Sequence, residues 1–283
     1  MPALTRYQAG AVTLLSDASV GGGVTFAFTE RTGGASEAPY ASLNLGTACG
    51  DDPARVAENR RRALAAMGAE DVAARLVGPH QVHGDAVVRV SSGSPEDVAR
   101  AQAAAAAGAD AVVCTVPGVP VLLCFADCVP VVLACAGGFA VAHSGWRGTI
   151  ARIAGKAARE LADAAGVGTQ GVTAYVGPHI GYQDYEVSPE LAERFCAEFG
   201  PEAAPDGRHL DLGLCVRLAL AEAGLEPGHI VEAGVSTAGT TARFFSYRAE
   251  KGRCGRHAAV AVMGLKTPTE LGWVRADAEG RGI

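Results

Sequence analysis

Apolar runs alternate with polar loops along the chain, and two kinds of periodicity can be distinguished. Short runs dense in valine and leucine are typical of strands buried on both faces. They lie at residues 24–28, 111–115, 121–125, 129–135, 139–142, 172–176, 230–235, 244–247 and 258–263. Segments with one apolar side at helical spacing predict helices at residues 51–68, 99–108, 149–165, 188–199 and 211–223. Because strands and helices mix throughout, the pattern predicts an α/β (α+β) fold, a layered sandwich of mixed sheets with outer helices.

Composition limits the size and the partners of this fold. The chain has 283 residues, of which 49% are hydrophobic, and this is enough for a sizeable core. No linker or repeat divides the sequence, so we expect a single catalytic domain over residues 1–283. The net charge is −6 and no basic stripe is present. A nucleic acid polymer or an anionic membrane is therefore not an expected partner, whereas a single nucleoside is compatible with this charge.

Cysteine usage and the start of the chain bear on its location. Residues 1–19 lack the basic start and long apolar run of a signal peptide, and no run reaches the length of a membrane helix. The eight cysteines show no disulfide-rich spacing. We therefore expect reduced thiols, a cytoplasmic location and a monomer.

Three side chains that can bind a metal lie at junctions between apolar runs and loops. Cys128 lies between two predicted strands, His143 ends another, and His83 lies in a polar loop upstream. Two imidazoles and a thiolate form a common zinc ligand set that leaves a fourth position open for chemistry. A lone buried cysteine or histidine is more often a packing residue. The predicted metal site at His83, Cys128 and His143 therefore depends on these residues meeting in space.

Neighbours of these ligands are candidates for proton transfer. Asp127 precedes Cys128, and Gln81 lies close to His83. Zinc with three protein ligands lowers the pKa of a bound water to about 7 or polarises a substrate oxygen. Asp127 is predicted to act either as a general base or as a brace that orients a ligand, the brace being the more common role. We thus predict catalytic roles for His83, Asp127 and Cys128.

Polar and basic residues nearby are candidates for binding phosphate or substrate. Arg147 lies between two glycines, just before the helix predicted from residue 149. A helix start offers free N–H groups to an anion, and a guanidinium adds a fixed positive fork. Arg60, on an earlier helix, and Asn44 are further candidates. These arginines also fit a solvated helix face, which is the preferred interpretation for Arg61.

The same residues are compatible with other chemistry. Cys128 and His143 could form a nucleophile–base pair, as in thiol hydrolases, and such a pair would keep its activity after chelation. Copper also accepts imidazole and thiolate, but a multicopper centre needs more than the seven histidines present can supply. A structural zinc site would need a fourth protein ligand, and no obvious one is found.

Several motifs occur in the order found in a known family. The chain resembles the polyphenol oxidase (laccase) family, which includes relatives of the peptidoglycan-editing factor and zinc-dependent purine nucleoside phosphorylases. The match runs nearly end to end and includes FTERTGG at 28–34, YASLNLG at 40–46, NRR at 59–61, QVHG at 81–84, DA at 110–111, ADCVP at 126–130, HSGWRG at 143–148, YEV at 185–187 and FFSYR at 244–248.

The resemblance implies a zinc site at His83, Cys128 and His143 and a layered sandwich similar to the toxin-deamidase-like cysteine hydrolase fold. It implies phosphorolysis of adenosine, inosine, guanosine and methylthioadenosine, with phosphate as co-substrate, and deamination of adenosine in the same pocket. The usual zinc-deaminase signature is absent, so deamination would need different machinery. The alternatives are a copper-dependent polyphenol oxidase and a hydrolase that edits cell-wall precursors.

The chain departs from the family pattern at several positions. Gln183 and Asp184 stand where relatives often carry two adjacent cysteines, which weakens any second thiol or copper role in that loop. Ser144 stands where alanine is common, and His257 where glutamine is common. These two changes are candidates for tuning the substrate preference.

Overall fold

Two stacked β-sheets contain most of the buried apolar runs. The computed structural model describes residues 2–277, so that Met1 and residues 278–283 of the predicted domain lie outside the described residues. The strands in this range are β1 Thr5–Ala9, β2 Val12–Ser16, β3 Val24–Thr29, β4 Val87–Val90, β5 Ala111–Cys114, β6 Val121–Phe125, β7 Val129–Cys135, β8 Gly138–Ser144, β9 Thr173–Val176, β10 Ile230–Glu232, β11 His257–Met263 and β12 Val274–Arg275.

The strands form two six-stranded sheets within residues 2–277. The first has the order β12-β1-β2-β3-β11-β6, and all of its neighbours are antiparallel. The second has the order β10-β9-β7-β8-β5-β4 and combines antiparallel pairs with the parallel pairs β10–β9 and β4–β5. The β7–β8 hairpin lies at the centre of the second sheet, and its first and last residues meet in register, Val129 opposite Ser144.

Helices cover the outer faces of both sheets. They are α1 Pro53–Ala66, α2 Pro95–Ala107, α3 Trp146–Ile150, α4 Ile153–Ala165, α5 Pro189–Phe199 and α6 Leu212–Glu222. Helix α1 packs on the first sheet through Leu64, whereas α4, α5 and α6 share a core with the second sheet. Aromatic residues of both sheets, including Phe26, Phe125 and Tyr175, fill the space between the sheets. The predicted layered sandwich with outer helices is confirmed, although only the second of its two sheets is mixed.

Most helix starts follow the capping chemistry of the sequence. Asp52, Ser94, Ser188 and Asp211 each accept a hydrogen bond from a backbone N–H in the first turn of the following helix. Proline follows the first three of these caps, and its fixed φ suits the first helical position. Helix α2 consequently begins at Pro95, four residues before the predicted start at residue 99. No helix in the described part of the chain is long and apolar enough to cross a membrane.

Two predicted elements differ from the structure, and four strands, β1, β2, β4 and β12, were not predicted. The helix predicted over 149–165 starts earlier and is split into α3 and α4, because Arg152 adopts a left-handed conformation with φ 59°. Residues 244–247 form no strand: Phe244 and Phe245 are buried in an irregular segment, so their apolar character reflects packing. Strands β1 and β2 were missed because threonine, serine and arginine interrupt their apolar positions.

Candidate metal centre

The structure brings the three predicted ligands together. One ligand atom from each of His83, Cys128 and His143 lies within 4.8 Å of the other two. His143 lies near the end of β8, and Cys128 immediately precedes β7, so the central hairpin holds both at one end. His83 comes from the loop ahead of β4, and its ring contacts that of His143 edge to face at a centroid distance of 4.8 Å. The centre thus joins one hairpin and one loop.

Asp110, which precedes β5, links the two histidines. Its carboxylate is fully buried, and its Oδ1 lies 2.8 Å from Nδ1 of His143. The same carboxylate accepts hydrogen bonds from the backbone N–H groups of Val82, His83 and Gly84, at 3.1, 3.0 and 2.8 Å. The sequence motif at residues 110–111 predicts no role for this aspartate. An acidic residue just before a fully buried strand is the signal that could have singled it out.

Backbone conformation helps to form the site. His83 and Asp127 are non-glycine residues with positive φ, 59° and 91°. Such conformations are sparsely populated and persist where the surrounding structure enforces them. Gly145 leaves room for the ligands, because a Cβ there would lie 2.9 Å from the His83 ring and 3.2 Å from Sγ of Cys128. The ligand geometry thus depends on the constrained backbone at His83 and Asp127 and on a glycine at position 145.

The electrostatics of the ligands favour a thiolate. Burial alone raises the pKa of the Cys128 thiol, but the neighbouring imidazoles of His143 and His83 outweigh burial and lower it. Burial lowers the pKa of His143, yet the Cys128 sulfur and the Asp110 carboxylate raise it overall. The thiolate is the form of cysteine that binds metals.

Asp127 joins the Cys128 turn to the last loops of the chain. Its Oδ1 accepts a hydrogen bond of 2.6 Å from Oγ1 of Thr237, and its Oδ2 accepts one of 2.7 Å from the backbone N–H of Arg248. Its side chain is largely buried. Both carboxylate oxygens are therefore engaged, which favours the predicted brace over the predicted general base. Thr237 was not considered from the sequence, where an isolated threonine in a loop gives no signal.

Gln81 positions the His83 loop without contacting the ligands. Its side-chain amide pairs with the backbone of Cys124 in β6, donating to the carbonyl at 2.8 Å and accepting from the N–H at 2.9 Å. The amide thus acts as a short strand partner for the edge strand β6. These two contacts anchor the loop that carries His83, and neither of them joins Gln81 to a candidate ligand.

The predicted phosphate-binding residues lie in different environments. Arg147 is exposed at the start of α3, with its guanidinium 4.4 Å from the ring centroid of Trp146. Arg60 donates from Nε to the carbonyl of Leu45 at 2.9 Å. Asn44 is fully buried, accepts from the backbone of Gly46 and Arg256, and donates to Asp51. Its contacts favour a structural role, whereas Arg147 is exposed next to the ligands' hairpin.

Tyr185 and Arg248 are polar residues close to Cys128 that sequence reasoning used only as parts of motifs. The guanidinium of Arg248 lies 5.2 Å from the ring centroid of Tyr185 and donates to the carbonyl of Glu186. Burial, followed by the negative charge of Cys128, raises the pKa of Tyr185 to about 12. Its phenol is therefore neutral at physiological pH and can donate a hydrogen bond next to the centre.

The four positions that depart from the family pattern lie in two kinds of environment, a short 3₁₀ helix and the buried interior. Gln183 and Asp184 form part of a short 3₁₀ helix, where Asp184 accepts a 2.6 Å hydrogen bond from Oγ of Ser236. Ser144 and His257 are fully buried, and neither the hydroxyl of Ser144 nor either ring nitrogen of His257 meets the geometry of a hydrogen bond. His257 lies between Phe125 and Phe244.

The ligand set fits a metal ion. A thiolate and two imidazoles suit zinc, and copper also accepts them. Asp110 provides the carboxylate–histidine contact that commonly supports a ligating imidazole. Among residues 2–277 this is the one group of three or more histidine, cysteine or acidic side chains with metal-binding geometry. None of the eight cysteines, all within the described range, forms a disulfide.

Comparison with known proteins identifies the family of this chain. Residues 25–264 match the family described as multi-copper polyphenol oxidoreductase laccase. A protein of Deinococcus radiodurans named purine nucleoside phosphorylase is 40% identical over 86% of this chain and 89% of its own length. The purine nucleoside phosphorylase YlmD of Geobacillus stearothermophilus is 35% identical over 83% of this chain and 88% of its own. The crystal structure of YlmD from that organism superposes with a TM-score of 0.80 at 32% identity, covering 93% of this chain and 99% of the other. The chain therefore belongs to the multi-copper polyphenol oxidoreductase laccase family, as its motifs predicted.

Proposed function

We propose that this protein is a zinc-dependent purine nucleoside phosphorylase that also deaminates adenosine. The main supporting observation is that the ligand atoms of His83, Cys128 and His143 lie within 4.8 Å of one another. The names of the Deinococcus and Geobacillus relatives support the reaction class. The proposed substrates are adenosine, inosine, guanosine and methylthioadenosine, each with phosphate.

In phosphorolysis an oxygen of phosphate attacks C1′ of the ribose while the bond from C1′ to the purine nitrogen breaks. The products are ribose-1-phosphate and the free base, which takes up a proton. A bound metal supplies a Lewis acid that polarises a substrate oxygen. The exposed guanidinium of Arg147 provides positive charge for phosphate, and the neutral phenol of Tyr185 can donate a hydrogen bond. Asp127 holds the turn that presents Cys128.

The remaining expectations become part of this proposal. We propose one catalytic domain, a monomer, a cytoplasmic location and small-molecule substrates instead of nucleic acid. The relation to the toxin-deamidase-like fold also stays a prediction. Size-exclusion chromatography with light scattering would test the monomer directly.

Purified protein incubated with each nucleoside and phosphate tests the main reaction. Chromatography should show the free base and ribose-1-phosphate in equal amounts, and omission of phosphate should abolish both. Adenosine without phosphate should yield inosine if the deamination is correct. Absence of turnover with every one of these nucleosides, in protein shown to contain metal, would contradict the proposal.

Metal analysis distinguishes zinc from copper. Protein expressed without added copper should contain about one zinc per chain and no stoichiometric copper. Activity should disappear after chelation and return with zinc. A multicopper centre would need many more histidines than the two that meet here, so oxidation of diphenols is not expected.

A further inference from the structure

The buried carboxylate of Asp110 contacts two of the three ligand-bearing segments at once. Its Oδ1 faces both Nδ1 of His143 and the backbone N–H of His83, at 2.8 and 3.0 Å. Its Oδ2 accepts from the N–H groups of Val82 and Gly84. The backbone carbonyl of Asp110 also accepts a 2.7 Å hydrogen bond from the N–H of His143. One residue thus connects strand β8 to the His83 loop.

The contact with His143 determines which ring nitrogen is left for a metal. A carboxylate can only accept hydrogen bonds, so Nδ1 of His143 carries the proton in this contact. Nε2 is then the nitrogen that remains for the metal. A carboxylate partner of this kind also fixes the orientation of the ring and increases its basicity.

The contacts with the loop hold His83 in an uncommon conformation. The φ of His83 is 59°, in the left-handed region that non-glycine residues seldom adopt. The N–H groups of three consecutive residues converge on Asp110, and charge-assisted hydrogen bonds of this kind are strong. The carboxylate thus faces four donors, three backbone amides and the His143 ring. Loss of this carboxylate would remove the three hydrogen bonds that hold the loop in its strained turn.

We infer that Asp110 is a positioning residue that sets the metal affinity of the centre by holding His83 and His143 together. The inference rests on the proposed metal centre and is independent of the nucleoside reaction. An amide in place of the carboxylate cannot accept at both oxygen positions, because its NH₂ group would face N–H donors. Asp110→Asn should therefore disturb at least one of the two ligands while removing little volume.

Asp17 provides a matched control elsewhere in the fold. It is also buried, and it accepts hydrogen bonds from the backbone of Ala3 and Ser19, from Oγ of Ser19 and from Oη of Tyr175. None of these partners is a candidate ligand. Asp17→Asn removes an equally well-connected carboxylate, so it reports the effect on stability alone.

The test measures zinc affinity by competition with a chromophoric chelator on full-length, metal-stripped protein. Asp110→Asn should bind zinc roughly 10- to 100-fold more weakly than the unchanged protein, the range found for partners of ligating histidines. Asp17→Asn should lower the melting temperature but leave the affinity unchanged. Equal loss of affinity in both variants would overturn the inference, because Asp110 would then act only through stability.

A measurement on the unchanged protein keeps the inference testable if Asp110→Asn does not fold. In the zinc-loaded protein, Nδ1–H of His143 should give a downfield, slowly exchanging proton resonance, and ¹⁵N shifts should identify Nε2 as the metal ligand. Zinc bound to Nδ1 would overturn the inference. Failure of the unchanged protein to bind zinc would overturn the metal centre and this inference together. Zinc binding without phosphorolysis would contradict only the proposed function.

Discussion

The two ends of the β7–β8 hairpin differ in chemistry although they belong to the same pair of strands. At the ligand end, defined by Cys128 and His143, two imidazoles approach a sulfur. At the turn end, defined by Cys135 and Gly138, a cavity of ≈420 Å³ is lined by Asp17, Cys135 and Tyr175 among others. Each end has a cysteine and, nearby, a buried carboxylate with several hydrogen bonds.

The two ends differ in whether their polar atoms are available to bind a metal or are already used in hydrogen bonds. At the turn end, Tyr175 donates to Asp17, whose carboxylate already accepts from Ser19 and Ala3. Burial raises the pKa of the Cys135 thiol, whereas the imidazoles lower that of Cys128. The candidate metal centre is therefore marked by three ligand atoms that lie within 4.8 Å of one another, and not by the larger concave surface at the turn end.

The first prediction substitutes the cysteine at each end. Cys128→Ser should lose the metal and lower kcat/KM for inosine phosphorolysis by more than about 100-fold, because the thiolate is one of three ligands. Cys135→Ser should keep metal and activity. Metal content per chain and steady-state kinetics on both purified variants check this.

Melting temperatures separate loss of chemistry from loss of fold. A catalytic centre predicts that Cys128→Ser melts only a little below the metal-loaded unchanged protein, whereas a structural metal site predicts a large fall in melting temperature. Equal activity in the two cysteine variants would remove the distinction between the two ends. Activity that survives chelation in the unchanged protein would instead favour the thiol hydrolase alternative for Cys128 and His143.

The second prediction distinguishes the two roles of Asp127 at the ligand end. A brace predicts that Asp127→Asn and Thr237→Val lower kcat by similar factors, about 10- to 100-fold, since each disturbs one of the two hydrogen bonds that the Asp127 carboxylate accepts. A general base predicts a far larger loss of kcat for Asp127→Asn than for Thr237→Val. Rates measured for both variants over a pH range decide between these outcomes.

The third prediction uses one glycine from each end. Gly145 has φ −75°, which alanine adopts without strain, but its Cβ would press on the His83 ring and on Sγ of Cys128. Gly145→Ala should weaken zinc binding by about 10-fold with little change in stability. Gly137 has φ +90° and open space around it, so Gly137→Ala should cost about 1–2 kcal/mol of stability and leave zinc affinity intact.

Chelator competition and denaturant unfolding of both glycine variants measure this crossed pattern. Equal weakening of zinc binding by Gly137→Ala and Gly145→Ala would contradict a specific role of Gly145 at the ligands. Equal loss of stability in both variants would also contradict it, because local space at the ligands would then have no separate effect.

Much of the fold could be predicted from apolar runs and helix caps. Strands β5 to β9 and β11 are continuous apolar runs, and α1 and α5 begin with a capping residue and a proline. The break between α3 and α4 could not be predicted, because nothing in the sequence near Arg152 marks a left-handed residue. The segment 244–247 resembles a strand in sequence because burial of Phe244 by tertiary contacts gives the same apolar signal.

The candidate ligands could be predicted because cysteine and histidine are chemically distinctive at the ends of strands. Their supports could not, since hydrogen-bond partners distant in sequence give no local pattern. Asp110 reaches the His83 loop across 27 positions, and Thr237 reaches Asp127 across 110. Asn44 is a predicted substrate-binding residue in a glycine-rich loop, and its amide lies buried among backbone partners. Its assignment stays a prediction that the geometry does not favour.

The fourth prediction concerns His257, a buried residue. Unlike the side chains of Asp17 and Tyr175, neither of its ring nitrogens meets the geometry of a hydrogen bond. Burial, with the positive charges of Arg256 and Arg31, lowers the pKa of His257 from 6.5 to about 3, although the carbonyl of Pro178 opposes this slightly. Between these two pH values the unfolded chain binds a proton at His257 and the folded protein does not. Stability therefore falls as the pH drops below 6.5, by about 1.4 kcal/mol for each pH unit from this residue.

His257→Gln removes this titration, so its free energy of unfolding should depend less steeply on pH between 6.5 and 4.5 than that of the unchanged protein. Urea unfolding of both proteins across this range measures the difference in slope. His80→Gln, which removes an exposed histidine, serves as the control and should keep the original slope. Parallel pH profiles for His257→Gln and the unchanged protein would contradict the lowered pKa. They would show that a hydrogen-bond partner stabilises protonated His257 in the folded protein. The interior next to the ligand end would then be as fully hydrogen-bonded as the turn end.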